Sequence, residues 1–423
     1  MGSGCRERRA SRSFSPAPRG GGGGAELEGG GNIQDGDHAS PSSNLNGFPD
    51  NAETPRLARQ LERAAALPAG DAAATRYIYV RGKLRPVPLA PPAFLFSDIL
   101  TVSGRLRVLM EPMIPARPDF NESVYNFAAR RIGPEAASVL VDSMVAGVYA
   151  GDSRALELGS CFLKLHTLER DYGGLIRGMI ASRKAARAKA EAEARAATRT
   201  GEAKKQKSGG PAGPGGVLTS FDRGMQVLTQ TLVAVLREEG AALRLGSSAV
   251  TLARIDRAAR PDQHTEVGSP ALAPDARWRL RLSSGEQLDA HTVVMAAPPE
   301  VAADLLEASD PAIATPLRAI PGSPLAVVGL AFDRAQLRRP VNGFGFLVAK
   351  GPGAPRCLGV LWDSAIYRGR APEGSVLMRA MIGGARDPQV VEWDDARLLS
   401  QIADDLRLTM GIDAVPRRTW VFR

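Results

Sequence analysis

Arg76 heads the stretch "RYIYVRGKLRPVPL" (76–89), whose other residues are largely apolar. A guanidinium in such surroundings is either a surface charge or a planar fork that clamps a carboxylate. The remaining chemistry-bearing residues form no constellation. A Ser/His/Asp hydrolase needs a convergent nucleophile and base, yet the chain has 4 histidines, none inside a signature, and no GxSxG. His166, inside the apolar run "FLKLHTLE", reads as a packing or surface residue. Metal-ligand spacing is absent, with no HExxH, no CxxC and no acid-rich calcium loop. The pair Asp394-Asp395 reads as a helix start, where negative charge favours the N-terminal dipole. The glycine run 20–24 does not satisfy GxGxxG, follows no apolar strand and opens no helix, so it reads as linker. The glycines of "VAGVYAGD" (145–152) and "MIGGARD" (381–387) read as tight turns and close helix packing.

Elements must hold these residues in place. "RYIYVRGKLRPVPL" reads as a hairpin that turns at Arg81-Gly82. Thr54-Pro55 is a cap-and-proline start for a helix with Leu57 and Leu61 on one face. From Pro91 to about Arg187 the pattern is helical. "ESVYNFAARRIG" (122–133) is capped by Ser123 and closed by Gly133, and "PEAASVLVDSMVAGVYAG" (134–151) is a second helix interrupted at Gly147 and Gly151. "LRVLMEPM" and "GGLIRGMIASRKAARAKA" add two more. After Gly216 an amphipathic helix follows, with Met225, Leu228, Leu232, Val235 and Leu236 on its apolar side. Short strands come next, with a hairpin turning at Ser284-Gly285. "HTVVMAAPPEVAADLL" (291–306) reads as an apolar strand over 292–296, of the kind covered on both faces, that stops at Pro298-Pro299 and leads into a helix. Four strands of an antiparallel sheet fill 324–385, and a helix and a final strand, "VPRRTWVFR", complete the chain.

At 423 residues the chain accommodates two or three domains, and 44% hydrophobic content is ordinary for a soluble globular protein. No apolar run reaches the roughly 18 residues a membrane span needs. The 3 cysteines lie far apart and suggest neither a disulfide framework nor a zinc module, which fits a reducing, cytosolic setting. Of the net charge of +9, a surplus of 6 falls between Ser182 and Lys207, where nine Lys/Arg face three Glu. That segment carries no aromatic residue, so it reads as a solvated, disordered insertion rather than a nucleic-acid site. Attraction to an anionic membrane surface is the second reading.

The motifs also resemble a known family. "RYIYVRGKLRPVPLAPPAFLFSDIL", "ESVYNFAARRIG", "VDSMVAGVYAGD", "LTSFDRGMQVL", "VVMAAPP", "VNGFGFLVAK" and "MIGGARDP", in that order, are similar to FAD-dependent protoporphyrinogen oxidase of the monoamine oxidase-like flavoproteins. The resemblance implies an α+β / α/β multidomain fold: an FAD-binding domain with a Rossmann-type sheet, a substrate domain with an antiparallel sheet, and a helical membrane-associating insertion. It implies oxidation of protoporphyrinogen IX to protoporphyrin IX, with a closely related coproporphyrinogen III oxidase as the alternative. The substrate-binding positions it implies are Arg76 for a propionate, Gly147 (with Ala150 in the same turn) for backbone approach to the tetrapyrrole, and Leu347, Leu361 and Met381 for the apolar walls. The FAD positions it implies are Val250, Ala296 and Pro298, with Gly30 and Gly31 as the remnant of a phosphate-contacting pair. No side chain is required as an acid or base, since the cofactor carries the chemistry and the protein positions the substrate.

The same comparison divides the chain. Residues 1–50 are expected to be disordered, as the remnant of the FAD domain's start. Residues 51–90 and 301–423 form the substrate domain, 91–181 the helical domain, 182–215 a basic disordered linker and 216–300 the residual FAD domain. Family members open with a strand, a GxGxxG turn and an acidic residue on the ribose, a unit not found here. The FAD domain is thus expected to be incomplete at both ends, with FAD bound weakly or not at all and little oxidase activity, and a non-catalytic truncated product is the remaining alternative. The expected partners are a tetrapyrrole, oxygen or a quinone as electron acceptor, and a peripheral membrane contact, without nucleic acid. The expected location is the cytoplasm, including the inner face of the cell membrane.

Overall fold

A computed structural model describes residues 66–68, 75–88, 94, 96–117, 122–200, 219–221, 223–255 and 277–423. Gly30, Gly31 and the helix start at Thr54-Pro55 lie outside the described residues.

The organising element is a mixed sheet. Its strands run β12 (Arg418–Phe422), β8 (Leu325–Asp333), β11 (Ser375–Gly383), β10 (Gly359–Leu361), β9 (Gly345–Val348), β2 (Arg76–Val80) and β3 (Lys83–Pro86), in that spatial order. A separate pair joins β1 (Ala66–Pro68) to β4 (Thr219–Phe221). The β2–β3 hairpin turns at Arg81-Gly82, both at positive φ (50° and 74°), the primed geometry that matches the strand twist. All pairs in the large sheet are antiparallel except β2 with β9, so the antiparallel sheet expected from sequence is mixed. The distant β2 segment enters beside β9 in the same direction, which only a long crossover permits.

Alternation along each strand sorts the side chains to two faces. One face carries Tyr79, Leu330, Phe332, Phe346, Val360, Trp362 and Met378, and it packs against Leu398, Ile402 and Leu406 of a helix that we place last, Asp395–Met410. That helix starts as expected, with the Asp394 carboxylate accepting from Arg397 N at 2.8 Å, and Gly411 closes it at positive φ. Burying a large aliphatic or aromatic side chain is worth about 1.5–3 kcal/mol, so this layer is the main stabilising core.

The described helices between β3 and β4 are α1 (Val102–Leu109), α2 (Val124–Ile132), α3 (Pro134–Ala136), α4 (Ser143–Tyr149), α5 (Leu158–Cys161), α6 (Leu163–Tyr172) and α7 (Leu175–Thr200). Of these, α4 packs on the opposite face of the sheet. Ser123 caps α2 and Gly133 ends it. A π-helical stretch, Ala137–Asp142, joins α3 to α4, so the helix runs on through Gly147 and stops only at Ala150, which is left-handed (φ 48°). The expected interruption at Gly147 is therefore not observed. Intrahelical hydrogen bonds tolerate a glycine whose Cβ space is needed by a neighbour. Helix α7 also runs further than expected. It is helical to Thr200, so the first part of the presumed disordered basic segment is ordered as helix, as its alanine content favours. Residues 201–215 of that segment lie outside the described residues.

A buried charge network pins these helices. The Arg131 and Glu111 side chains are both fully buried, and Arg131 Nε donates to Glu111 Oε1 at 2.8 Å. Glu111 also accepts from the amides of Leu175 and Ile176, which satisfies donors at the start of α7. His166 is buried within α6, consistent with its reading as a packing residue.

The segment after β4 contains α8 (Gln226–Glu238) and a three-stranded sheet of β5 (Ala249–Arg254), β6 (Trp278–Leu282) and β7 (Gln287–Ala290), with Gly285 in the β6–β7 turn. Two expectations are corrected here. On α8 the buried residues are Val227 and Val235, whereas Leu232 and Leu236 are exposed. The stretch 292–296 forms no strand and pairs with none among the described residues, and Val294 stands 87% exposed. An apolar run becomes a buried strand only when partner strands supply hydrogen bonds on both sides. Helix α9 (Pro299–Leu306) then follows, with α10 (Pro311–Arg318) and α11 (Asp363–Ile366) later in the chain, and the Asp395–Met410 helix becomes α12.

Candidate functional site

The strand registers assemble a row of residues across the sheet. Arg76 faces Gly345, Gly345 faces Leu361, and Leu361 faces Arg379. Two residues along, Ile78 faces Leu347, Leu347 faces Gly359, and Gly359 faces Met381. Because the side-chain period is two, both rows project from the same face, the one opposite the main core. Arg76, Leu347, Leu361 and Met381, far apart in sequence, thus share one face. Between them Gly345 and Gly359 add no side chain, and the strands pack so closely there that a Cβ would run into Val360 O or Phe346 O.

Helix α4 roofs one side of this face. A Cβ at Gly147 would fall closer to Leu347 Cδ2 than real Cβ contacts allow, so at this approach of the helix any larger residue would force the leucine side chain aside. Ala146 and Ala150 pack with Leu325, Leu358 and Met381, while Val139 and Leu140 of the π-helical stretch pack, like Leu347, against the cluster of Ile78, Val80 and Ala349. The five substrate-type positions read from sequence are therefore brought together, four on the sheet and Gly147 on the helix above it.

The electrostatics are uneven. Arg76 lies over the Phe344 ring, 5.0 Å from its centroid, with no carboxylate partner among the described residues. Burial pulls its guanidinium down from the ordinary value, though an arginine remains charged at any physiological pH. Arg379, on the same face, is instead neutralised by Asp363, with Nη2 at 2.7 Å from Oδ1. A cavity of about 300 Å³ opens where the end of α4 meets the loops after β9 and β11, lined by Ala146, Ala150, Leu358 and Gly383 and rimmed by Lys350, Arg356, Arg386 and Asp387. Lys350 Nζ donates to the carbonyls of Pro355, Arg356 and Cys357 at 3.0, 2.7 and 2.8 Å, and burial pulls its ammonium below the ordinary lysine value.

Arg386 escaped the sequence reading although "MIGGARD" contains it. Its Nη1 donates to Asp142 at 2.8 Å and its Nη2 to Asp152 at 2.6 Å, while Ser153 also donates to Asp142. Burial pushes the Asp142 carboxyl up, but Arg386 and Ser153 outweigh it and hold the group below the ordinary aspartate value. Nothing in the spacing of 142, 152 and 386 announces this triad, since the residues come from separate elements.

The FAD-type positions behave differently. Val250 sits at a register shift in β5 and is 49% exposed, and Ala296 and Pro298 are also exposed. The helix nearest them, α9, begins with Pro298 at its cap and Pro299 at its first position, neither of which has an N–H for a phosphate. These residues offer an apolar edge for a flat ring, and the start of α9 offers no N–H for a pyrophosphate. Among the described residues no group of His, Cys, Asp and Glu is arranged to hold a metal ion.

Comparison with known proteins fits this arrangement. The sequence model for flavin containing amine oxidoreductases matches residues 44–422. The chain is 28% identical over 355 residues to the chloroplastic protoporphyrinogen oxidase of Nicotiana tabacum, covering 80% of this chain and 58% of that protein. It is 31% identical over 321 residues to the protoporphyrinogen oxidase of Homo sapiens, covering 74% and 59%. To the coproporphyrinogen III oxidase of Bacillus subtilis it is 26% identical over 365 residues, covering 84% and 68%. The chain thus spans only 58–68% of the length of these relatives. A solved protein from Exiguobacterium shares the fold with a TM-score of 0.64 at 18% identity, covering 87% of this chain and 72% of that one.

Proposed function

The chain belongs to the flavin containing amine oxidoreductase family, and we propose that within it the shared face of β2, β9, β10 and β11 binds a porphyrinogen for oxidation to the porphyrin. The observation that carries this reading is the convergence of Arg76, which has no carboxylate partner among the described residues, with Leu347, Leu361, Met381 and the close-packed Gly147. A tetrapyrrole is a broad apolar ring with carboxylates at its margin, which asks for apolar walls and a cation at one edge. Here the guanidinium takes a propionate, the walls exclude water from the ring, and Gly147 lets backbone lie against it. Protoporphyrinogen IX is the substrate we favour. Coproporphyrinogen III is the second reading, favoured by the likeness to the Bacillus subtilis enzyme.

The cofactor and the surroundings complete the proposal. FAD is the redox group of the family, and the exposed Val250, Ala296 and Pro298 hold it weakly in this chain, with oxygen or a quinone as the final acceptor. Membrane contact is peripheral, at the inner face of the cell membrane. It uses the exposed Val102, Leu106, Met113, Met179 and Ile180, which lead into the basic residues Arg183, Lys184 and Arg187 along α7. No helix among the described residues is long and apolar enough to cross a membrane.

Purified chain is assayed for flavin absorbance and for porphyrin fluorescence growing from protoporphyrinogen IX and from coproporphyrinogen III, with and without added FAD. Sub-stoichiometric flavin, with porphyrin binding retained, is expected. Failure of either porphyrin to bind would sink the substrate reading, and a fully flavinated active preparation would sink the claim of weak cofactor binding. Sedimentation with phosphatidylglycerol vesicles, but not with phosphatidylcholine vesicles, is the expected membrane result.

A further inference from the structure

The loop after β11 grips the end of helix α4 in three ways. Ala385 N donates to Ala150 O at 2.7 Å. Gly384, at φ +85°, lies so close to that same carbonyl that a Cβ there would sit 2.5 Å from its oxygen. Arg386 then reaches across to Asp142, the last residue of the π-helical stretch, and to Asp152, just beyond the left-handed Ala150. Asp142 is 6% exposed and Ser153 is fully buried, so the acceptor end of this bridge is embedded, whereas the arginine stands at the rim. The two aspartates bracket the turn that contains Gly147 and Ala150.

This placement has a geometric consequence. Between the bracketing carboxylates lie the residues that touch the binding face: Gly147 on Leu347, and Ala146 and Ala150 against Met381 and Leu358. The height of the turn above the sheet is set where it is tied down, and Arg386 ties it to the strand that carries Met381. The main core lies on the far side of the sheet, against α12, and does not depend on this contact.

We propose that Arg386 is a positioning residue for the tetrapyrrole: by bridging Asp142 and Asp152 it fixes the Gly147–Ala150 turn at one height above the face that carries Arg76, Leu347, Leu361 and Met381. The inference rests on the porphyrin-binding reading above for its ligand, while the clamp itself stands on the bridge. Arg386 touches no ligand. Its loss leaves the buried Asp142 carboxylate without its cation, which draws water and lifts the turn.

The test uses the full chain, with Arg386→Gln and Arg386→Lys compared to wild type by fluorescence titration with protoporphyrin IX and by hydrogen exchange. Arg386→Gln is expected to raise the protoporphyrin Kd by about tenfold, the size of a lost positioning contact of about 1.4 kcal/mol. It should accelerate exchange of amides 143–153 while those of β8 and β11 keep their protection. Arg386→Lys, which can reach one aspartate but not fork to both, should recover part of each effect. Unchanged exchange at 143–153 in Arg386→Gln overturns the clamp, as does acceleration spread equally over β8 and β11. Faster exchange at 143–153 with an unchanged Kd overturns the positioning role. If wild type binds no porphyrin, the substrate reading falls, and a tetrapyrrole-positioning role falls with it. The exchange pattern then still decides whether the bridge holds the turn.

Discussion

The close approach of Gly147 to Leu347 can be measured as a coupling energy. Replacing Gly147 by alanine adds one methyl group where Leu347 Cδ2 already stands, and the leucine is a half-buried strand residue packed in the same apolar cluster as Val139 and Leu140. Overpacking of this kind costs about 1–3 kcal/mol. Alanine in a helix recovers about 1 kcal/mol relative to glycine, because it restricts the unfolded chain. Gly147→Ala is therefore expected to destabilise by about 0–2 kcal/mol. Leu347→Ala removes a half-buried side chain, at about half the cost of a fully buried leucine, or about 1–2 kcal/mol. In the double variant the new methyl group occupies space that the leucine vacated, so the combined loss should fall short of the sum by about 1 kcal/mol. Urea unfolding followed by tryptophan fluorescence reports all four corners of the cycle, since Trp362 lies in the sheet core. Additivity within about 0.3 kcal/mol would refute the contact and, with it, the reason given for a glycine at this position. Protoporphyrin titration of the same proteins adds a second readout, with Gly147→Ala weakening binding more than it weakens the fold.

Other outcomes follow from the same geometry. Arg76→Ala should raise the porphyrin Kd by roughly 10- to 100-fold, the range of a charge-assisted hydrogen bond, while Arg76→Lys keeps part of it; fluorescence titration checks both. Arg131→Met strands the fully buried Glu111 carboxylate and should cost about 3–5 kcal/mol in urea unfolding, whereas Arg131→Met with Glu111→Leu should regain much of that loss. Because Asp142 is held below the ordinary aspartate value, its contribution is complete above that value and is lost as pH falls through the lower folded-state pKa. Protoporphyrin affinity should therefore show no change from this group between about pH 8 and pH 5, and a fall that Arg386→Gln abolishes should appear only below about pH 4.

Much of the site was legible as residue types and little of it as proximity. The hairpin at Arg81-Gly82, the caps at Ser123 and Asp394 and the four strands between 324 and 385 follow local rules of turn chemistry, capping and alternation, and each stands where those rules put it. The face shared by Arg76, Leu347, Leu361 and Met381 does not follow from any local rule. It depends on β2 entering parallel to β9, a pairing that brings residue 76 beside residue 345. Arg386 was passed over for the same reason, because its partners at 142 and 152 are more than 230 residues away.

The strand expected at 292–296 shows the limit from the other side. Its composition is that of a buried strand, yet the chain there pairs with no strand among the described residues, and none of its residues is buried. Composition fixes how strongly a segment wants partners, and only the tertiary arrangement decides whether they arrive. By itself the sequence determined the local elements, the absence of acid–base and metal signatures and the resemblance that pointed to tetrapyrrole oxidation. Tertiary structure alone decided which residues share a face, how closely α4 approaches it and what holds it there. Those are consequences of strand register and side-chain volume, and both are set by pairs of residues distant in the chain.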